Sequence, residues 1–183
     1  MESDYFGTIE FDWAGASSEY TFTIPYFEKE VEVFLGAEYN EDGEEIEALP
    51  TENEVLDYEN TFKNFLENID EIIIEIKEKS FENYKEHYAE YYEKSFILDG
   101  LFETDKKEGE VHEPLNITTQ DIHFEYMKNI NYLRVLNEKI IIMPIHYKLD
   151  REHGLEIILK DNKVIGIDGM GVFGSTYHCA KYG

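Results

Sequence analysis

Hydrophobic and polar positions along this chain repeat on two periods, and the longest uninterrupted pattern is helical. Between Thr51 and Glu93, the residues Val55, Tyr58, Phe62, Phe65, Ile69, Ile72 and Ile76 recur in three- and four-residue steps. Tyr84, Tyr88 and Tyr91 resume that spacing after Lys77-Glu78-Lys79-Ser80. The rhythm predicts one long helix, or two that meet near Ser80. Thr51 followed three residues later by Glu54 makes a capping box at its start. Glu52, Glu54 and Asp57 suit the positive end of the helix dipole, and Lys94 suits the negative end.

Elsewhere the period is two, the signature of strands. Tyr5 to Trp13 carries Phe6, Ile9 and Phe11 among polar residues, and Gly15-Ala16-Ser17-Ser18 reads as a turn. Tyr20, Phe22 and Ile24 alternate with Thr21 and Thr23 up to Pro25, and Glu30 to Leu35 alternates again up to Gly36. These three segments predict a meander. Ala37 to Pro50 has no period and reads as a solvated acidic loop; its Asn40-Glu41-Asp42-Gly43 stretch does not line up with the ligand pattern of a calcium loop. After a polar connection from Asp99 through Pro114, Thr118 with Asp121 predicts a short helix carrying Ile122, Tyr126 and Met127 on one side and ending before Asn131. Four more strands follow: Tyr132–Leu136, Lys139–Leu149 after a turn at Asn137-Glu138, then Leu155–Lys160 and Val164–Ile167 joined across Asp161-Asn162. In the second, Ile141, Met143, Ile145, Tyr147 and Leu149 share one face. The expected fold is α+β, an antiparallel sheet made of an N-terminal three-strand meander and a C-terminal four-strand meander, packed on a long acidic helix or helix pair. No repeat or linker divides the chain, so residues 1–183 are expected to form a single domain.

Composition changes this picture in one respect. Hydrophobic residues at 42% and aromatics at 15% support a packed core, although a net charge of -25 taken alone would suggest disorder. The 41 acidic against 16 basic residues set up a field that repels phosphates and anionic membrane surfaces. Neither nucleic acid nor membrane is expected as a ligand, whereas a basic protein is attracted; the same charge also keeps the chain in solution. Charge concentrates on the polar side of the long helix at Glu67, Glu71, Glu75, Glu78, Glu82 and Glu86, with Glu90 and Glu93 continuing the steps. Like charges at that spacing cost a few tenths of a kcal/mol per pair, about 0.2–0.5. Those six glutamates are therefore the expected partner-binding surface. A lone Cys179, a start at Met1-Glu2-Ser3-Asp4 without an export signature, and no apolar run near the ~20 residues of a membrane span lead to a cytoplasmic expectation. The sequon Asn116-Ile117-Thr118 then has no route to modification.

Catalytic motifs are weak by comparison. His146, Asp150 and His153 form the nearest thing to a ligand cluster, and an even separation puts His146 and Asp150 on one strand face. A small metal-dependent enzyme built on those three is the alternative reading. Against it stands a plain turn in which Gly154 takes an unusual φ and the histidine caps backbone groups. Adjacent His178-Cys179 does not suit a Cys/His nucleophile, and Cys179 reads as a small packing residue. The C-terminal glycines from Gly169 lack the strand-turn-helix setting of a phosphate loop. Tyr84, Tyr88, Tyr91 and Tyr92 read as core; a structural, self-associating protein would use them as its surface instead. No cofactor and no metal are expected.

Phe6-Gly7 ahead of the first strand, the aromatic stretch Phe81 to Tyr92, and above all Asp150 to Gly154 leading into Leu155 to Val164 resemble a group of uncharacterised bacterial domains. The resemblance covers most of the chain loosely and is sharpest over the roughly twenty residues of the His-Gly hairpin, and it carries no active site. Members of that group often occur as immunity proteins beside polymorphic or contact-dependent toxins. The implied function is a cytoplasmic immunity protein that neutralises a basic toxin, such as a nuclease, by occluding its active site. The extreme acidity and the loop from Ala37 to Pro50 depart from the group.

Overall fold

The computed structural model describes residues 1–40 and 42–170. Strands β1 (Glu2–Ser3), β2 (Gly7–Asp12), β3 (Gly15–Ser18), β4 (Phe22–Thr23), β5 (Glu30–Val31) and β6 (Val33–Leu35) come first. Helices α1 (Glu52–Glu67), α2 (Ile69–His87) and α3 (Ala89–Tyr92) follow, then strands β7 (Phe96–Ile97) and β8 (Val111–His112) and helix α4 (Gln120–Phe124). The chain continues through β9 (Asn129–Ile130), β10 (Leu133–Leu136), β11 (Ile140–His146), β12 (Leu155–Lys160) and β13 (Lys163–Asp168).

The α+β class and the largely antiparallel sheet are as expected. Among the described residues the main sheet runs β1-β2-β3-β6-β10-β11-β12-β13, with β9 pairing the end of β11. The C-terminal four-strand meander is present, joined at its hairpin by Asp161 and Asn162, both with positive φ. The N-terminal strands differ from expectation. Gly15-Ala16-Ser17-Ser18 is a strand, not a turn: Asp12 pairs with Gly15, so the chain reverses over Trp13 and Ala14 alone. The Tyr20–Ile24 segment contributes only β4, which pairs with β5 outside the main sheet. Glu30 to Leu35 divides at Glu32, and β6 enters the main sheet, antiparallel to β3 and parallel to β10.

The capping box forms, with Thr51 Oγ1 accepting from the Glu54 N–H at 3.4 Å and the Glu54 carboxylate accepting from the Thr51 N–H at 2.7 Å. The stretch is interrupted not near Ser80 but twice, at Tyr88 between α2 and α3 and at Asn68, whose side chain donates to the Asn64 carbonyl at 2.7 Å and closes the end of α1. Lys77, Glu78 and Lys79 are good helix formers and stay helical. Ser80 is buried inside α2. A break of one residue preserves the apolar stripe, and Val55, Tyr58, Phe62, Phe65, Ile69, Ile72 and Ile76 are all buried. They share a core with Val33, Leu35, Leu133, Val135, Ile141, Met143, Ile157 and Leu159 from one face of the sheet. Leu136, Ile140, Ile142 and Ile158 make a smaller cluster on the other face.

Helix α4 is capped by Thr119, one residue later than expected, through a bond from the Ile122 N–H to its hydroxyl at 3.3 Å. That shift leaves Ile122 exposed while His123 and Phe124 are buried, with Met127 also inside. No helix among the described residues is long and apolar enough to cross a membrane.

Candidate functional site

The outer side of the helical layer is acidic, as the spacing predicts. Glu67, Glu71, Glu78, Glu82 and Glu86 are exposed. Glu75 differs: it is half-buried and paired with Lys79 at 2.9 Å and Lys163 at 3.9 Å. The neighbouring cations are drawn elsewhere. Lys77 pairs with Asp121 at 2.8 Å, Lys63 pairs with Glu59, and Lys85 lies over the Phe81 ring at 5.0 Å. Among the described residues no ion pair reaches Glu67, Glu71, Glu78, Glu82 or Glu86. Ile74, 62% exposed, sits between Glu71 and Glu78 in helical spacing. A cleft of about 340 Å³ between α2 and β13 sets Glu82 and Glu86 beside the exposed Ile165.

Glu93 leaves the acidic series. Its Oε1 accepts from the Tyr84 hydroxyl at 2.6 Å and from the Ile117 N–H at 2.9 Å, so this carboxylate ties α3 to the segment before α4. Tyr84 and Tyr92 are buried and Tyr88 is half-buried, which makes most of the tyrosine series core; Tyr91 remains 45% exposed.

The histidine and aspartate residues do not gather as the strand argument expects. Strand β11 ends at His146, so Asp150 lies in the following turn and strand parity no longer relates the two. The His146 Nε2 meets Glu103 Oε2 at 2.5 Å, while Asp150 pairs with His153 Nδ1 at 3.0 Å. Asp150 also accepts from the His153 N–H at 3.1 Å and the Tyr88 hydroxyl at 3.3 Å, and Gly154 has φ +61°. This is the plain turn, capped by the aspartate. Among the described residues no group of three or more His, Cys, Asp or Glu side chains is placed to hold a metal ion. His178, Cys179 and the glycines after Met170 lie outside the described residues.

A polar cluster that the sequence did not single out lies inside the core. His123 is fully buried between Tyr147, whose hydroxyl is 2.7 Å from Nε2, and Ser80, whose hydroxyl is 3.5 Å from Nδ1. Tyr84 stacks obliquely on its ring at 5.1 Å. With Ser80 and His123 both at 0% exposure, no substrate reaches the pair, and the cluster holds α2, α4 and the end of the sheet together. Burial pulls the His123 pKa from 6.5 down to about 4. The folded chain therefore binds fewer protons than the unfolded chain between those values. The resulting stability is fully present above pH 6.5 and is lost as pH falls toward 4. Glu156 works in the opposite sense, because burial pushes its carboxyl up to about 7. The test is therefore a comparison with His123→Gln by urea unfolding. Between pH 7 and pH 5 the parent is expected to lose about 2 kcal/mol relative to the variant. Parallel pH profiles would show that His123 is not held neutral.

A family model described as Domain of unknown function (DUF6985) matches residues 5–173. No curated protein and no solved structure matches the chain. The match begins ahead of β2 and runs past β13, so it takes in the acidic helical face together with both halves of the sheet. On that match the chain belongs to this family, the Domain of unknown function (DUF6985).

Proposed function

We propose that this chain is an acidic cytoplasmic binding protein, of the immunity type, that docks its helical face on a basic toxin and covers the toxin's active site. The observation that carries the reading is the set of exposed glutamates on α2, Glu71, Glu78, Glu82 and Glu86, with no ion pair among the described residues. Over a rise of 1.5 Å per residue, Glu71 to Glu86 spans about 22 Å, a length suited to an interface of standard size. Mutual repulsion at this spacing opposes helix stability, and a basic partner relieves it. A nuclease holds its phosphates with Lys and Arg, so the same face is complementary to that surface and obstructs it. Ile74 supplies an apolar contact among the charges, where such contacts carry more energy than the charged rim.

Co-purification with the protein encoded beside this one, repeated over a salt series, tests the reading. Capture is expected to weaken steeply with salt. The fourfold variant Glu71→Lys, Glu78→Lys, Glu82→Lys, Glu86→Lys is expected to slow association by about 10-fold or more, with an unfolding midpoint equal to or above the parent's. Salt-insensitive capture, or no capture, would sink the proposal. A fourfold variant that unfolds would mean the carboxylates serve the fold instead.

A further inference from the structure

We infer that a second, smaller contact point exists at the opposite end of the sheet, a cleft that receives one arginine side chain of a basic protein. It deepens the proposed function and rests on that reading for the nature of the partner. The cleft, of about 280 Å³, lies where the acidic loop folds back beside the β2–β3 turn. Its walls are Phe11 and Trp13, and Asp12, Glu38, Glu45 and Glu47 also line it. Trp13 is the one tryptophan in the chain and is 67% exposed; Phe11 is 44% exposed. Aromatic rings held open to water beside carboxylates match a flat cation, which is attracted to the π face and to the charge together. The volume suits a single side chain and falls below the usual range for a whole small ligand, ~300–1,000 Å³.

The fold already contains this recognition once. Arg134, fully buried just beneath the cleft, places its guanidinium 5.2 Å from the Phe34 ring centre and 5.8 Å from that of Tyr132. One of its nitrogens lies 3.5 Å from Glu38 Oε2. Trp13 packs edge-on against the same two rings, at 5.2 Å and 5.3 Å. The inner side of the cluster thus seats a guanidinium between aromatics and a carboxylate, and the outer side presents the same chemistry to solvent. Arg134 is engaged with Glu38 and with two carbonyls. Among the described residues, Asp12, Glu45 and Glu47 are paired with no cation. Charge complementarity and aromatic geometry therefore name the same occupant, an arginine in preference to a lysine.

An acetylated, amidated tetra-arginine peptide is the probe, titrated calorimetrically and by Trp13 fluorescence at about 0.15 M salt, where the screening length is ~8 Å. Expected results are a change in Trp13 emission on binding and weaker binding of the tetra-lysine counterpart. Trp13→Leu is expected to weaken tetra-arginine binding about fivefold to tenfold by calorimetry. The pair Glu45→Gln, Glu47→Gln should weaken it by a similar factor. The pair Glu108→Gln, Glu110→Gln removes the same charge from the exposed β7–β8 connection, outside both the cleft and the helical face, and should change it less than about twofold. Equal losses from the two glutamine pairs, or binding indifferent to Trp13→Leu in a variant with the parent's circular dichroism, would overturn the cleft and leave the helical face standing as the docking surface. Failure of the neighbouring protein to co-purify while tetra-arginine still reports on Trp13 would remove the immunity reading and leave the cleft.

Discussion

Replacing Arg134 by Met is expected to destabilise the fold by about 3–5 kcal/mol, the range for breaking a buried ionic contact by removing one partner. The Arg134 guanidinium donates to the Gly36 carbonyl at 3.0 Å and the Ala14 carbonyl at 2.8 Å, and lies 3.5 Å from Glu38. Ala14 and Gly36 are buried, so neither carbonyl has ready access to water once the donor is gone, and each orphaned acceptor costs about 1–3 kcal/mol. A buried ion pair exchanged for apolar groups is often neutral when both partners go. Here the acceptors are backbone and cannot be exchanged. Arg134→Lys should recover only part of the loss, because an ammonium does not present a planar fork to two carbonyls. Urea unfolding measures both; a loss under about 1 kcal/mol for Arg134→Met would show that water or a neighbouring group satisfies the carbonyls.

Phe62→Ala is expected to cost a comparable amount, about 3–5 kcal/mol, by a different mechanism. Phe62 is fully buried, with ring centres of Phe22 at 4.9 Å, Phe65 at 6.1 Å, and Tyr5 and Phe6 each at 6.2 Å. Its ring packs α1 against the N-terminal segments that carry Tyr5, Phe6 and Phe22. Truncation leaves a cavity between a helix and segments that arrive from far away in sequence, which limits how completely the site can collapse. The urea midpoint should fall with the slope unchanged. A loss near that of a surface substitution would mean that the N-terminal strands settle onto α1 without it.

The parts of this fold that the sequence reveals are those with a local cause. The stripe from Val55 to Ile76 is one face of a helix layer, and its period survives the break at Asn68 because a single residue barely shifts the phase. The continuous apolar run from Ile140 to Ile145 reflects a strand buried on both faces. Strand β3 was hidden because Gly, Ala and Ser carry little strand preference. Its place is fixed by neighbours, with the Ser18 hydroxyl accepting from the Val33 N–H at 3.2 Å and donating to the Tyr20 carbonyl at 2.8 Å. Pairing of β6 with β10 had no local signal at all. Among site residues, the exposed glutamates were legible from helical spacing, although the capture of Glu75 and Glu93 by partners distant in sequence was not. The exposure of Trp13 was not legible, because the two-residue reversal that carries it exists only once β3 pairs with β2. The carboxylates opposite it come from a loop without periodicity.

The parallel pairing of β6 with β10 also sets a waiting time. Val33–Leu35 emerges from the ribosome about 100 residues before Leu133–Val135. At a synthesis rate of ~5–20 residues per second, that edge stays without its neighbour for roughly 5–20 s. An apolar edge left open that long invites pairing with other chains. Glu30 and Glu32 stand immediately before it, where charges discourage such association. A nascent chain stalled before Tyr132 would keep an apolar segment without its parallel partner, and would be expected to depend on a chaperone that full-length chains soon release.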